Sequence, residues 1–259
     1  MIFIILVAAI IFVFGAAVGS FISAAAYRMH RQETMFSRSH CPRCGRTLSF
    51  FDLLPILSFL CLRGKCRRCK SSIDLEYFLT EAVSGSIFVF SFFYRWINSG
   101  DGESFSWIIL RDWTFLSGLA FLFIYDFKYQ TLPDKVTLPL IVAMAVINFF
   151  LKENFVNILF GIVIGAGFFL TQYLISRGKW VGDGDIRMGA LLGAALGWPN
   201  IALAIFLAYI IGASVSVCLL FTKKKQMKSR IAFGTFLAIG GFAALYFGDS
   251  VANWYLNIL

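Results

Sequence analysis

The chain has 259 residues, of which 59% are hydrophobic and only 14% charged, with 30 Phe and a mean hydropathy of +0.79. Soluble domains run nearer about 45–50% apolar and about 25% charged, so a soluble globule and a disordered chain are both excluded. The formal net charge is +9, and its meaning lies in where the cations fall along the chain.

Eight apolar runs follow one another. The first covers 2–27 without a charge. It is too long for a signal peptide and no basic region precedes it, so it reads as a membrane span. The others cover approximately 78–96, 113–127, 136–151, 155–176, 188–198, 201–221 and 231–248. The sixth is short for a crossing; it follows a glycine-rich turn and ends at Trp198-Pro199-Asn200. Continuous runs of this kind predict helices, where a transmembrane barrel would show short alternating segments. With the N-terminus outside, the inside loops hold 20 Lys/Arg and the outside loops only Arg95, Arg111 and Lys152. The inside set includes Lys223, Lys224, Lys225, Lys228 and Arg230 before the last run. Basic residues in short loops set orientation, so the predicted topology has eight spans and both termini outside. The positive charge is then topology plus attraction to anionic membrane lipid, and no nucleic acid partner is needed.

Only one loop is long enough to be a small domain. The predicted organisation is a first transmembrane helix over 1–27, a cytoplasmic cysteine loop over 28–76 and a seven-helix membrane core over 77–259. The fold class is all-α integral membrane, of about eight transmembrane helices with a small zinc-knuckle-like loop domain. Small residues recur at four-residue spacing, as Gly15/Gly19, Gly161/Gly165 and Gly189/Gly193/Gly197. Close helix packing accounts for all of them.

The loop carries Cys41-Pro42-Arg43-Cys44 and, after 21 residues, Cys66-Arg67-Arg68-Cys69. Each C-x-x-C turn sets two sulfurs on one side of a knuckle, and two knuckles make a four-sulfur tetrahedron. Arg43, Arg46, Lys65, Arg67 and Arg68 surround the thiols, and positive charge favours thiolate. The reducing side of the membrane disfavours disulfides. Cys41, Cys44, Cys66 and Cys69 are therefore read as ligands of a structural zinc. All four positions are sulfur, which leaves no open site for a reactive water. Cys61 and Cys218, in apolar surroundings, read as buried small hydrophobes. His30 and His40 read as solvated loop residues, with contact to the metal as the alternative for His40.

Charges near a span are costly and call for a reason. Asp126 ends the third run, in Tyr125-Asp126-Phe127-Lys128. Asp185 opens the sixth, in Gly182-Asp183-Gly184-Asp185. The predicted topology puts both at the cytoplasmic side, at one depth, although 59 positions separate them. Two carboxylates at close range cannot both ionise cheaply, and the pair shares a proton. One then activates water as a base while the other protonates a carbonyl oxygen. Gly182 and Gly184 would let a substrate backbone approach and offer unusual dihedrals. Bland readings stand beside this one. Asp185 serves as a first-turn acid of its helix, and Asp126 as a juxtamembrane charge paired with Lys128 or Arg187. Asp183 occupies the interchangeable position of the motif, and Asp134 reads as a solvated turn residue. A second class of function, a transporter or channel with a zinc-stabilised regulatory loop, would use the acids as a proton relay. It predicts acids near mid-bilayer and broken helices in related halves, and the chain has neither.

Taken together these residues resemble bacterial type IV prepilin peptidases, the G-x-G-D membrane aspartic proteases. The resemblance is carried by Gly19-Ser20-Phe21 with Tyr27-Arg28, the two C-x-x-C pairs, Asp52-Leu53-Leu54-Pro55-Ile56-Leu57-Ser58, and Leu62-Arg63-Gly64-Lys65-Cys66. Glu76-Tyr77 with Glu81 follow, then Asp126 with Leu132-Pro133-Asp134, then Gly182-Asp183-Gly184-Asp185. Lys228-Ser229-Arg230-Ile231 with Phe233-Gly234 close the series. The resemblance implies an inner-membrane endopeptidase with Asp126 and Asp185 catalytic. It implies cleavage of short basic leaders from prepilins or pseudopilins, after a glycine, at the cytoplasmic face. Many members also N-methylate the new terminus with S-adenosylmethionine. Here Asp52-Leu53-Leu54-Pro55 stands where many bifunctional members have Asp-Asn-x-Pro, and no glycine-rich methyl-donor fingerprint is present, so methyl transfer stays open. Ala232 and Thr235 stand where members often carry proline.

Overall fold

The structure is a computed structural model and describes residues 2–35, 37–99, 102, 104–221 and 232–257. The basic cluster Lys223, Lys224, Lys225, Lys228 and Arg230, and the motif at 228–231, lie outside the described residues. The helices are α1 (Ile2–His30), α2 (Leu57–Cys61), α3 (Leu75–Ser99), α4 (Phe105–Tyr129), α5 (Asp134–Phe150), α6 (Phe155–Ser176), α7 (Asp183–Leu196), α8 (Asn200–Phe221) and α9 (Phe233–Leu256), with a 3-10 turn over Phe50–Asp52. Each predicted apolar run folds as one of these helices. Among the described residues, six helices are long and apolar enough to cross a membrane: α1, α3, α4, α6, α8 and α9. The other two, α5 and α7, have 17 and 14 residues. At 1.5 Å per residue they reach about 26 and 21 Å, short of a hydrocarbon core of about 30 Å. The protein is a multi-pass, all-α membrane protein.

Internal contacts divide the chain into two compact units, Met1–Phe105 and Ser106–Leu259. In the first, α1 packs on α3 through small residues. A methyl on Gly19 would stand 2.8 Å from the Thr80 carbonyl, and one on Gly15 2.9 Å from Phe88. Arg28, near the end of α1, donates to the Met35 carbonyl at 2.6 Å and to Ser39 Oγ at 2.9 Å, drawing the loop back under its own helix. Glu81 is buried on α3 and accepts from the Ile56 amide at 2.7 Å. Ile56 stands at the N-cap of α2 with φ +64°. That is a strained conformation for a β-branched residue without a capping side chain, and the Glu81 carboxylate supplies the missing acceptor.

In the second unit α6 and α7 meet backbone to backbone. Gly161 and Gly165 face Gly189, Gly193 and Gly197, and a methyl on Gly161 would stand 2.6 Å from the Gly193 carbonyl. α5 is tied to α7 by Asn148, whose Nδ2 donates to the Ala194 carbonyl at 2.8 Å. α9 crosses α8 where Gly240 faces the Ala204 carbonyl. α4 lies inside this unit, with Phe115 and Leu122 fully buried and Gly118 seated against Leu140 of α5. Because the contacts at Gly193 are backbone on both sides, Gly193→Ala is expected to destabilise the protein by about 1–3 kcal/mol. Thermal unfolding in detergent, beside the exposed glycine variant Gly102→Ala as reference, measures it.

Candidate active site

Asp126 lies in the last turn of α4 and Asp185 in the first turn of α7. Both are buried, at 5% and 9% exposure. The first turn of α9 completes the arrangement. Its Thr235 amide donates to Asp126 Oδ2 at 3.1 Å. Amides in the first turn of a helix have no partner within it, and the helix N-terminus favours a carboxylate there. Gly234 is what admits the contact: a methyl at that position would lie 2.8 Å from the same oxygen. Asp185 is held by its own turn. The Gly182 amide donates to Asp185 Oδ2 at 3.1 Å, and the Asp185 amide donates to the Gly182 carbonyl at 3.2 Å. The expected first-turn acid is thus observed, but the same carboxyl also feels the charges of Asp126 and Asp183. Each carboxylate has its Oδ2 fixed by a main-chain amide, which sets the orientation of the other oxygen.

The neighbouring acids face elsewhere. Asp183 has a side chain 69% exposed and accepts from Arg187 at 3.2 Å. Arg187 also pairs with Asp134 at the start of α5. Arg187 therefore clamps the α4–α5 connection to α7. Gly182 has φ −78° and ψ 160°, ordinary extended backbone, and a methyl there would have normal room. The unusual dihedrals foreseen for this glycine are not used. Gly184 is the tight position, where a methyl would meet Leu132 at 3.0 Å. Leu132 touches the position of a Gly234 methyl as well, at 3.3 Å, so one apolar side chain lies beside both the turn that bears Asp185 and the α9 turn that holds Asp126. Gly234, Thr235 and Leu132 carried no role in the residue-level reading. A glycine two residues into a helix is visible in sequence, but the carboxylate held by the next residue's amide lies 109 positions from that residue.

The cysteine loop forms two copies of one turn. The Cys41 amide donates to the Arg46 carbonyl and the Cys66 amide to the Ser71 carbonyl, at 2.9 and 2.8 Å. Each knuckle is flanked by a bridge, His40 with Thr47 and Lys65 with Ser72. The residue after the second cysteine is left-handed in both, Gly45 at φ +67° and Lys70 at φ +56°. The sulfurs of Cys41, Cys44, Cys66 and Cys69 all lie within 4.8 Å of one another, with Cys41 and Cys69 at 3.9 Å. Metal–sulfur bonds of about 2.3 Å in a tetrahedron put sulfurs about 3.8 Å apart, so the donor set fits one tetrahedral ion. Ser71, through its hydroxyl and then its amide, draws the Cys69 thiol down to about 6. Neither His30 nor His40 joins the cluster. Cys61 and Cys218 are exposed, contrary to expectation. Apolar surroundings along a membrane chain include lipid, and a lipid-facing side chain has no protein cover. Between the knuckles Asp52 braces the loop. Its burial works against charge, but bonds from the Ser49 hydroxyl and amide, with the Arg67 guanidinium at 3.0 Å, hold the carboxyl below its usual range.

A helical membrane protein with buried aspartates at two helix ends and a four-cysteine loop has the features of a membrane peptidase. Residues 13–95 match the bacterial peptidase A24 N-terminal domain, and 113–217 match the type IV leader peptidase family. A prepilin leader peptidase/N-methyltransferase of Stutzerimonas stutzeri is 34% identical over 228 residues, covering 85% of this chain and 75% of the relative. One from Bacillus subtilis (strain 168) is 30% identical over 253 residues, covering 96% and 98%. The chain belongs to the type IV leader peptidase family. No solved structure matches it significantly. The transporter reading finds no support in the fold, the acids or the relatives.

Proposed function

We propose that this protein is an aspartic endopeptidase of the bacterial inner membrane that removes the short basic leader from prepilin- or pseudopilin-like precursors. The cut falls after a glycine at the cytoplasmic face, and both termini of the enzyme lie outside. The observation that supports this reading is that Asp126 and Asp185 are each buried and each accept from a main-chain amide. One carboxyl, ionised, takes a proton from water as its oxygen bonds to the scissile carbonyl carbon. The other, protonated, gives its proton to the carbonyl oxygen. As the tetrahedral diol collapses, one of its hydroxyls returns a proton to the second carboxylate, the C–N bond breaks, and the proton held by the base passes to the departing amine. The products are a leader carboxylate and a new amino terminus. Gly182 and Gly184 are assigned to the approach of an extended substrate backbone. The test is mass spectrometry of a prepilin incubated with the purified enzyme in lipid. The expected product begins immediately after the leader glycine, and an intact precursor would end the reading. Labelled S-adenosylmethionine in the same reaction reports whether the new terminus gains a methyl group; no residue of this chain is assigned to that donor.

Cys41, Cys44, Cys66 and Cys69 are assigned to one structural zinc. When bound, it ties the two knuckles together in a segment too small to build its own core. Elemental analysis of chelator-free protein is expected to give about one zinc per chain. Only thiolates ligate, so protons compete with the metal. Zinc is held at neutral pH and lost as pH falls, and Cys69→Ser brings its loss to higher pH. Zinc release against pH, followed with a chromogenic chelator, reads the difference.

A further inference from the structure

The stretch between the knuckles is apolar where a solvated loop would be polar. Phe50 and Phe51 are 75% and 70% exposed, and Leu53, Leu57 and Leu60 are exposed beside them. The 3-10 turn packs on α2, and Leu57 and Leu60, three apart, share one helix face. Phe59 turns the other way and packs on Phe78 of α3, ring to ring at 5.2 Å. One side of the stretch is therefore seated on a membrane helix and the other is uncovered.

Its depth follows from one hydrogen bond. The Ile56 amide is fixed to Glu81 at 2.7 Å, and Glu81 lies six residues into α3, about 9 Å along the axis. The 25 residues of α3 extend about 37 Å, roughly 7 Å more than the hydrocarbon core. Centred in that core, α3 leaves only its first two or three residues outside the boundary, and Glu81 falls inside. Residues fixed to Glu81 are then at the edge of the hydrocarbon. From Cys41 to Lys70 the loop has seven Lys/Arg and a single acid, Asp52, which is itself paired with Arg67. Such a rim attracts anionic headgroups and repels a basic leader, so lipid fits this surface better than the substrate does.

We infer that the segment from Phe50 to Cys61 is an interfacial membrane anchor. Its exposed apolar face inserts at the hydrocarbon boundary of an anionic phospholipid surface, with the knuckle cations on the headgroups. The test uses full-length protein carrying the photocrosslinker benzoylphenylalanine in place of Phe51 or of Leu57, and in place of exposed Arg68 for comparison. Each is reconstituted in vesicles of phosphatidylglycerol and phosphatidylethanolamine and irradiated. Lipid adducts at positions 51 and 57 are expected to exceed those at 68 by about tenfold, and replacing phosphatidylglycerol with phosphatidylcholine should lower them several-fold. Adducts to protein in place of lipid, from this chain or from added prepilin, overturn the inference, as do equal yields at the three positions. A second measurement avoids the artificial residue. Phe50→Ser with Phe51→Ser should keep the loop's metal content while trypsin cleavage at Arg63 in vesicles accelerates several-fold; an unchanged cleavage rate also overturns it.

Discussion

Asp126→Asn and Asp185→Asn are each expected to lower prepilin cleavage by at least about 10³-fold. Asn keeps the shape of the side chain and an acceptor oxygen for the Thr235 or Gly182 amide, so the turn around each residue is retained. What is lost is the ability to take or give a proton. Stability should change little or rise slightly, because a neutral amide is easier to bury than a carboxylate. The double variant should be no slower than either single one, since groups that act as a unit are not additive. Asp183→Asn is the reference, expected to cleave within about fivefold of wild type because its side chain lies in solvent on Arg187. Single-turnover cleavage in vesicles separates these outcomes. Near-normal cleavage by Asp126→Asn or Asp185→Asn would remove that residue from the chemistry.

Gly234→Ala carries the next largest effect, a loss of about 10²-fold in cleavage, in keeping with a displaced catalytic group. The added methyl would stand 2.8 Å from Asp126 Oδ2 and 3.3 Å from Leu132, so the carboxylate has to rotate away from the α9 amide. Thr235 divides the effect into parts. Thr235→Ala keeps the amide and should remain near wild type. Thr235→Pro removes the N–H in addition to the hydroxyl that Thr235→Ala already removes, in a first helical turn where proline is tolerated, and should approach the Gly234→Ala loss. If Thr235→Pro retained full activity, the amide of α9 would have no part in orienting Asp126. Helix content and Tm, measured alongside, are expected to stay close to wild type for all three.

The membrane class, the eight helical segments and the four-sulfur cluster were legible in the sequence for one physical reason. Each depends on neighbours close along the chain. A long uncharged run is a span because every backbone group is satisfied within its own helix, and a C-x-x-C pair makes a knuckle by itself. The two aspartates were legible because an acid beside lipid is expensive. Counting basic loops places 126 and 185 on the same membrane side as an expectation of the topology. Helix length was less legible: α5 and α7 read as spans from their composition but stop short of six longer helices.

Contacts between distant positions belonged to the tertiary structure alone. Nothing in the order of residues says that α9 begins beside Asp126, that Leu132 lies between two glycine turns, or that Glu81 caps Ile56. Those pairings come from how the helices pack, through glycine faces whose partners the spacing cannot name. Residue order alone carries the acids, the sulfurs and the apolar helices, and their succession along the chain. The fold decided which oxygen each amide holds, because a hydrogen bond needs two groups within about 3 Å, and distance along the chain does not measure distance in space.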